Sequence, residues 1–200
     1  MPRRPVGYMR APEYQARAKE ALQRLYPTVE VETEWYPFKG EKRDMYWPVV
    51  DVAVGPFATH STYGHRYTEL MDESRGFVES LIEIHNLNVL GIGGAPLDFP
   101  TLARFNENAR CLLCIELEES GSRKHCLGNL VNASALGRIG ILLARTEKVL
   151  RIFVSQRAYL RFLEEVEKNT FKTTNALILM TEQFDQCLRE HIERLPRNGQ

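Results

Sequence analysis

Two hundred residues, 44% of them apolar and 26% charged, suffice for a domain with a buried core and exclude wholesale disorder. Twenty-six basic residues offset 26 acidic ones, and a formal net charge of zero excludes a chain that holds polyanions by bulk charge. No apolar run nears the ~20 residues of a membrane helix, the start MPRRPVGYMR lacks a secretory apolar core, and Cys111, Cys114, Cys126 and Cys187 are too few for a disulfide framework, so a reduced, cytoplasmic, non-membrane protein is expected.

Residues 1–11, with Arg3, Arg4 and Arg10, read as an irregular basic arm. Pro12 suits the first turn of a helix, and Tyr14, Ala18, Leu22 and Leu25 repeat near the helical period up to Pro27. Six basic residues against two acidic ones over 1–24 read first as a solvated face and only second as a phosphate contact. Val29, Val31, Thr33 and Trp35 alternate with Glu30, Glu32 and Glu34, as in a half-buried strand. KGEKR (39–43) is a charged turn, and PVVDVAV (48–54) a second strand, closed by Gly55-Pro56, in which Asp51 is an acid among apolar neighbours.

Residues 57–110 read as an insertion. Within it Thr68–Asn86 fits a helix with Leu70, Phe77, Leu81, Ile82 and Ile84 inward, GIGGAP (91–96) breaks the chain, and Pro100–Arg110 fits another short helix. CLLCIELEE (111–119) is an apolar strand that turns acidic, and Arg123–Leu136 is a helix. IGILLA (139–144) and VLRIFVS (149–155) read as strands, Gln156–Asn169 as a helix, NALILMT (175–181) as the last strand and Glu182–Glu193 as a closing helix. The expected architecture is one α/β domain over 1–200, a mixed sheet flanked by helices. The insertion should leave after Val54 and return at Cys111 on an adjacent strand.

Chemistry concentrates on Glu116 and Glu118. Two positions apart on a strand, they share a face that Ile115 and Leu117 avoid. Two carboxylates at the mouth of an apolar strand repel, and a divalent cation with hard oxygen ligands, such as Mg²⁺, resolves the conflict; Asp51 offers a third carboxylate. A strand emerging into solvent is the plainer account of the pair taken alone. Lys124, His125, Asn129 and Asn132 crowd the early turns of the next helix, where an anion is favoured. Gly128 and Gly137 read as close-packing or helix-end glycines. Cys111 and Cys114 are expected on opposite strand faces, which argues against zinc or redox chemistry, and His60 and His65 read as loop residues. GIGGAP lacks a dinucleotide-site context, and neither a P-loop nor a G-x-S-x-G elbow is present.

A helix, a strand, an apolar strand bearing Asp51, an apolar strand ending in Glu116-x-Glu118, then a helix and further strands together resemble the PD-(D/E)XK nuclease superfamily. Two valines separate Pro48 from Asp51, Asp51 and Glu116 are 65 residues apart, and Glu118 stands where the family usually has lysine. Some type II restriction endonucleases of the superfamily carry glutamate there, and Lys124 is a candidate for a migrated lysine. The resemblance implies a restriction endonuclease-like fold and Mg²⁺-dependent (or Mn²⁺-dependent) hydrolysis of phosphodiester bonds in DNA. It implies a metal held by Asp51, Glu116 and the backbone carbonyl of Leu117, with Glu20 of the first helix joining. Glu118 or Lys124 would take the lysine role, and Lys124, His125 and Asn129 would contact nucleic acid. RNA as substrate and a homodimer are left open. The alternative is a catalytically silent relative, sustained by the missing E-x-K lysine, that binds nucleic acid or protein.

Overall fold

Five strands and seven helices form in a computed structural model that describes residues 9–38, 47–58 and 63–196. Most of the basic arm, the KGEKR turn and His60 lie outside the described residues. Helix α1 (Ala11–Leu25) buries Tyr14, Ala18 and Leu22, one residue per turn along one stripe. Strands β1 (Val31–Trp35) and β2 (Val50–Val54) pair antiparallel, with Val31 opposite Val54 and Trp35 opposite Val50. The chain then leaves the sheet through α2 (Gly64–Glu73), α3 (Arg75–Leu90) and the single turn α4 (Phe99–Ala103), and returns as β3 (Cys111–Glu118), antiparallel to β2. This helical excursion therefore departs and returns on neighbouring strands, as expected. Its helix expected over Thr68–Asn86 is two, divided at Ser74, whose hydroxyl donates to the Leu70 carbonyl and receives the Tyr26 hydroxyl.

Helix α5 (Arg123–Leu136) runs straight into β4 (Gly137–Ala144), parallel to β3; α6 (Glu147–Glu165) leads to β5 (Ala176–Met180), parallel to β4, and α7 (Thr181–Glu193) closes the chain. The sheet order is β1-β2-β3-β4-β5, an open mixed sheet. One face packs on α1, α3 and α7 through Leu22, Leu81, Phe184, Ile115, Ile141 and Leu179; the other packs on α5 and α6 through Leu130, Phe153, Cys114, Leu142 and Ile178. The outward backbone groups of β5 meet side chains: His85 Nδ1 accepts the Ile178 N–H (2.9 Å), Asn88 donates to the Ile178 carbonyl (3.1 Å), and Gln183 accepts the Met180 N–H (2.8 Å).

Three expectations need correction. VLRIFVS is the start of α6, not a strand: Thr146 accepts the Val149 N–H as an N-cap, and Val149, Phe153, Leu160 and their neighbours are buried at helical spacing. Cys111 and Cys114 lie together in the core on the α5–α6 side, because Leu112 and Leu113 both join the opposite core and break the alternation; all four cysteines are buried thiols. Gly128 faces open space, so close packing explains Gly137 and not Gly128. Among the described residues no helix is long and apolar enough to cross a membrane.

Candidate functional site

The β2–β3 register pairs Val52 with Ile115, and its continuation sets Asp51 beside Glu116. Asp51 is half-buried and doubly held: Gln15 Nε2 on α1 donates to Oδ1 (2.6 Å) and the Leu117 N–H donates to Oδ2 (2.6 Å). Glu116 is 3% exposed, stands beside Asp51, and keeps its Oε1 buried with no hydrogen-bond partner among the described residues. Burial is the main force pushing the Glu116 pKa well above the usual carboxylate range, and the Asp51 charge adds to it. Burial also raises Asp51, against the two donors that lower it. Like charges side by side in a dry place leave the pair short of one positive charge, met by a proton or a cation.

Other expected site residues fall differently. Glu118 shares the face of Glu116, but its Oε1 accepts the Ser120 N–H (2.6 Å), the Ser120 hydroxyl (2.6 Å) and the Gly121 N–H (3.3 Å), which builds the turn into α5. Gly121 holds φ at +66°, a conformation that glycine adopts freely. Leu117 meets Asp51 through its N–H, whereas the resemblance assigned its carbonyl to a metal. Lys124 and His125 are exposed and Asn129 is half-buried on α5, and none of the three hydrogen-bonds to the acids through its side chain. Glu20 is exposed on α1; Gln15 is the helix residue that reaches the pair. His65 is exposed on α2, 3.7 Å from Glu69.

Gln15 and Glu34 escaped the sequence reading. Glu34 stands opposite Asp51 in the β1–β2 register, at the one place inside the ladder where pairing lapses, with φ at +49°. Its charge helps raise both Asp51 and Glu116. Alternation had marked Glu34 as an ordinary polar face, and no periodic signal distinguishes a buried amide beside an apolar stripe. Among the described residues no group of three or more His, Cys, Asp or Glu is arranged to hold a metal ion.

Fold and site thus define an open mixed-sheet α/β protein in which a buried glutamate and a half-buried aspartate stand side by side on adjacent strands. Comparison with models of known families, with curated proteins and with solved structures gives no match.

Proposed function

We propose that this chain is a Mg²⁺-dependent endonuclease of the PD-(D/E)XK type that hydrolyses phosphodiester bonds in DNA. The observation that carries the reading is the unpartnered, buried Oε1 of Glu116 beside Asp51. Support comes also from the order around it: α1, an antiparallel β1-β2-β3, the α5 crossover and a parallel β4.

The donor set suits Mg²⁺ in one specific way. Mg²⁺ is commonly held by one or two carboxylates and completes its shell with water and substrate phosphate oxygens, so Asp51 and Glu116 are enough and a third acid is not required. Mg²⁺ there would polarise the scissile phosphate and acidify a bound water. Gln15 and the Leu117 N–H fix the Asp51 carboxylate so that it does not swing to relieve the repulsion. Burial and the Asp51 charge favour the protonated form of Glu116, and ligation of a cation displaces that proton. Glu118 is occupied by its turn, so Lys124 is the better candidate for steadying the developing charge, with His125 and Asn129 beside the phosphate path.

Plasmid cleavage tests this. The wild type should nick supercoiled DNA with Mg²⁺ or Mn²⁺ and not with EDTA, and Asp51→Asn or Glu116→Gln should lower the rate at least ~100-fold with an unchanged circular dichroism spectrum. Lys124→Ala should lose cleavage and keep binding. Wild-type protein that cleaves neither DNA nor RNA with any divalent ion sinks the reading. The silent, binding-only relative then takes its place, favoured by the engagement of Glu118 in its turn.

A further inference from the structure

Asp51 and Glu116 lie toward the carboxyl end of β3, whereas the segment ahead of β5 sits at the other pole of these parallel strands. There the loop after α3, the middle of α6 and residues 171–174 enclose a cavity of about 570 Å³, within the ~300–1,000 Å³ usual for small-ligand sites. Arg157 lines it and is 5% exposed.

The surroundings of this guanidinium are short of acceptors. Its Nη1 donates to the Ala95 carbonyl at 3.2 Å and lies 2.8 Å from His85 Nε2. His85 Nδ1 already accepts the Ile178 N–H at 2.9 Å, so a neutral ring carries its hydrogen on Nε2. Two N–H groups then confront each other across the Arg157–His85 contact. Protonating His85 offers no escape, because burial and the Arg157 charge push its pKa down to about 3. The Arg157 Nε is buried and has no hydrogen-bond partner among the described residues.

Among the described residues no carboxylate pairs with Arg157. Asp98 lines the cavity but caps α4, accepting the Thr101 N–H at 2.8 Å, and Glu164 lies 3.7 Å from Lys172 Nζ. Arg161 adds a second guanidinium to the same wall, paired only loosely with Glu165 at 3.8 Å. A buried cation whose one sure acceptor is a neutral carbonyl is costly to keep, and an oxyanion is what relieves it.

We propose that this cavity binds a small organic anion whose carboxylate or phosphoryl oxygens accept hydrogen bonds from Arg157. The anion accepts from the part of the guanidinium that borders the cavity and draws it from the opposing N–H of His85. Arg161 closes on it from the more exposed side, and Leu97 and Phe171 flank its carbon skeleton. The site is independent of the carboxylate pair and of any nuclease activity.

Calorimetric titration of the full chain with inorganic phosphate and, separately, with malonate tests it, at ionic strength held constant with chloride. One of the two should bind saturably with one site per chain, and the tighter one names the head group. Arg157→Lys keeps the charge but loses the planar fork, and should weaken binding at least tenfold; Asp51→Asn should leave it unchanged. A Phe171→Trp variant, with Arg157 intact, should change its emission as the site fills, which answers the question even if Arg157→Lys does not fold. The proposal fails if neither anion binds saturably, if the tryptophan is silent, or if Arg157→Lys binds as tightly as the wild type.

Discussion

Glu116 sets a pH dependence of known sign. Its folded pKa lies above the unfolded value of ~4.3, so the native state holds a proton that the unfolded chain releases. Stability from this group is present at low pH and is lost as pH rises above that value. Glu116→Gln, neutral throughout, should therefore be more stable than the wild type at pH 7 by about 1–3 kcal/mol. The difference should shrink toward pH 4.5, as read from urea denaturation of both proteins. His85 works in the opposite sense, its pKa being pushed down to about 3, so stability is lost as pH falls below ~6.5. Only the difference between variant and wild type isolates Glu116. An unchanged difference across this range would mean that Glu116 is ionised in the fold. Asp51 and Glu116 were legible in the sequence because acids inside apolar strands stand out against a two-residue period. Gln15 was not, because one amide at the border of a helical stripe looks like solvent polarity until the sheet is in place.

Two glycines of one α5–β4 unit should respond oppositely to the same change. A Cβ on Gly140 would come within 2.8 Å of the Ala133 backbone carbon, while one on Gly128 would meet nothing within 4 Å. Gly140→Ala should cost about 1–3 kcal/mol by forcing the helix off the strand. Gly128→Ala should stabilise by about 0.5–1 kcal/mol through helix propensity, and thermal melts of the two variants should shift in opposite directions. Equal shifts would mean that α5 does not lie against β4 as described. The fully buried β4 and the almost fully buried β5 were legible as apolar runs bounded by polar residues. VLRIFVS was not, because seven residues rich in β-branched and aromatic groups fit a buried strand and a half-buried helix equally. What decides is context beyond the run: Thr146 before it, and Arg157 and Leu160 continuing its stripe after it.

Across the whole molecule, the helical excursion between β2 and β3 and its return on an adjacent strand were legible as a change of period, and the hydrogen bond that pinches its neck was not. The Ala58 N–H donates to the Arg110 carbonyl at 2.9 Å and pinches the neck, so the two acid-bearing strands stay adjacent although 56 residues separate Val54 from Cys111. Helix α3 of this excursion also covers β5, and this has a consequence for how the protein behaves in a crowded solution. An open sheet ends in two strands able to template a foreign chain, and here both are blunted. On β5 the groups that a sixth strand would need, the Ile178 N–H and carbonyl and the Met180 N–H, are plugged by His85, Asn88 and Gln183. Asn88 and Gln183 lock each other by reciprocal amide bonds of 2.8 and 2.9 Å. On β1 the border carries Glu32 and Glu34, charged and, at Glu34, twisted out of strand geometry. Joint replacement of Asn88 and Gln183 by alanine should unplug the β5 side, and light scattering at 37 °C should then grow with time where the wild type stays clear. A variant that stays clear would assign the amide pair to holding α3 and α7 together. Either border left bare would turn an ordinary folding domain into a seed for amyloid-like stacking.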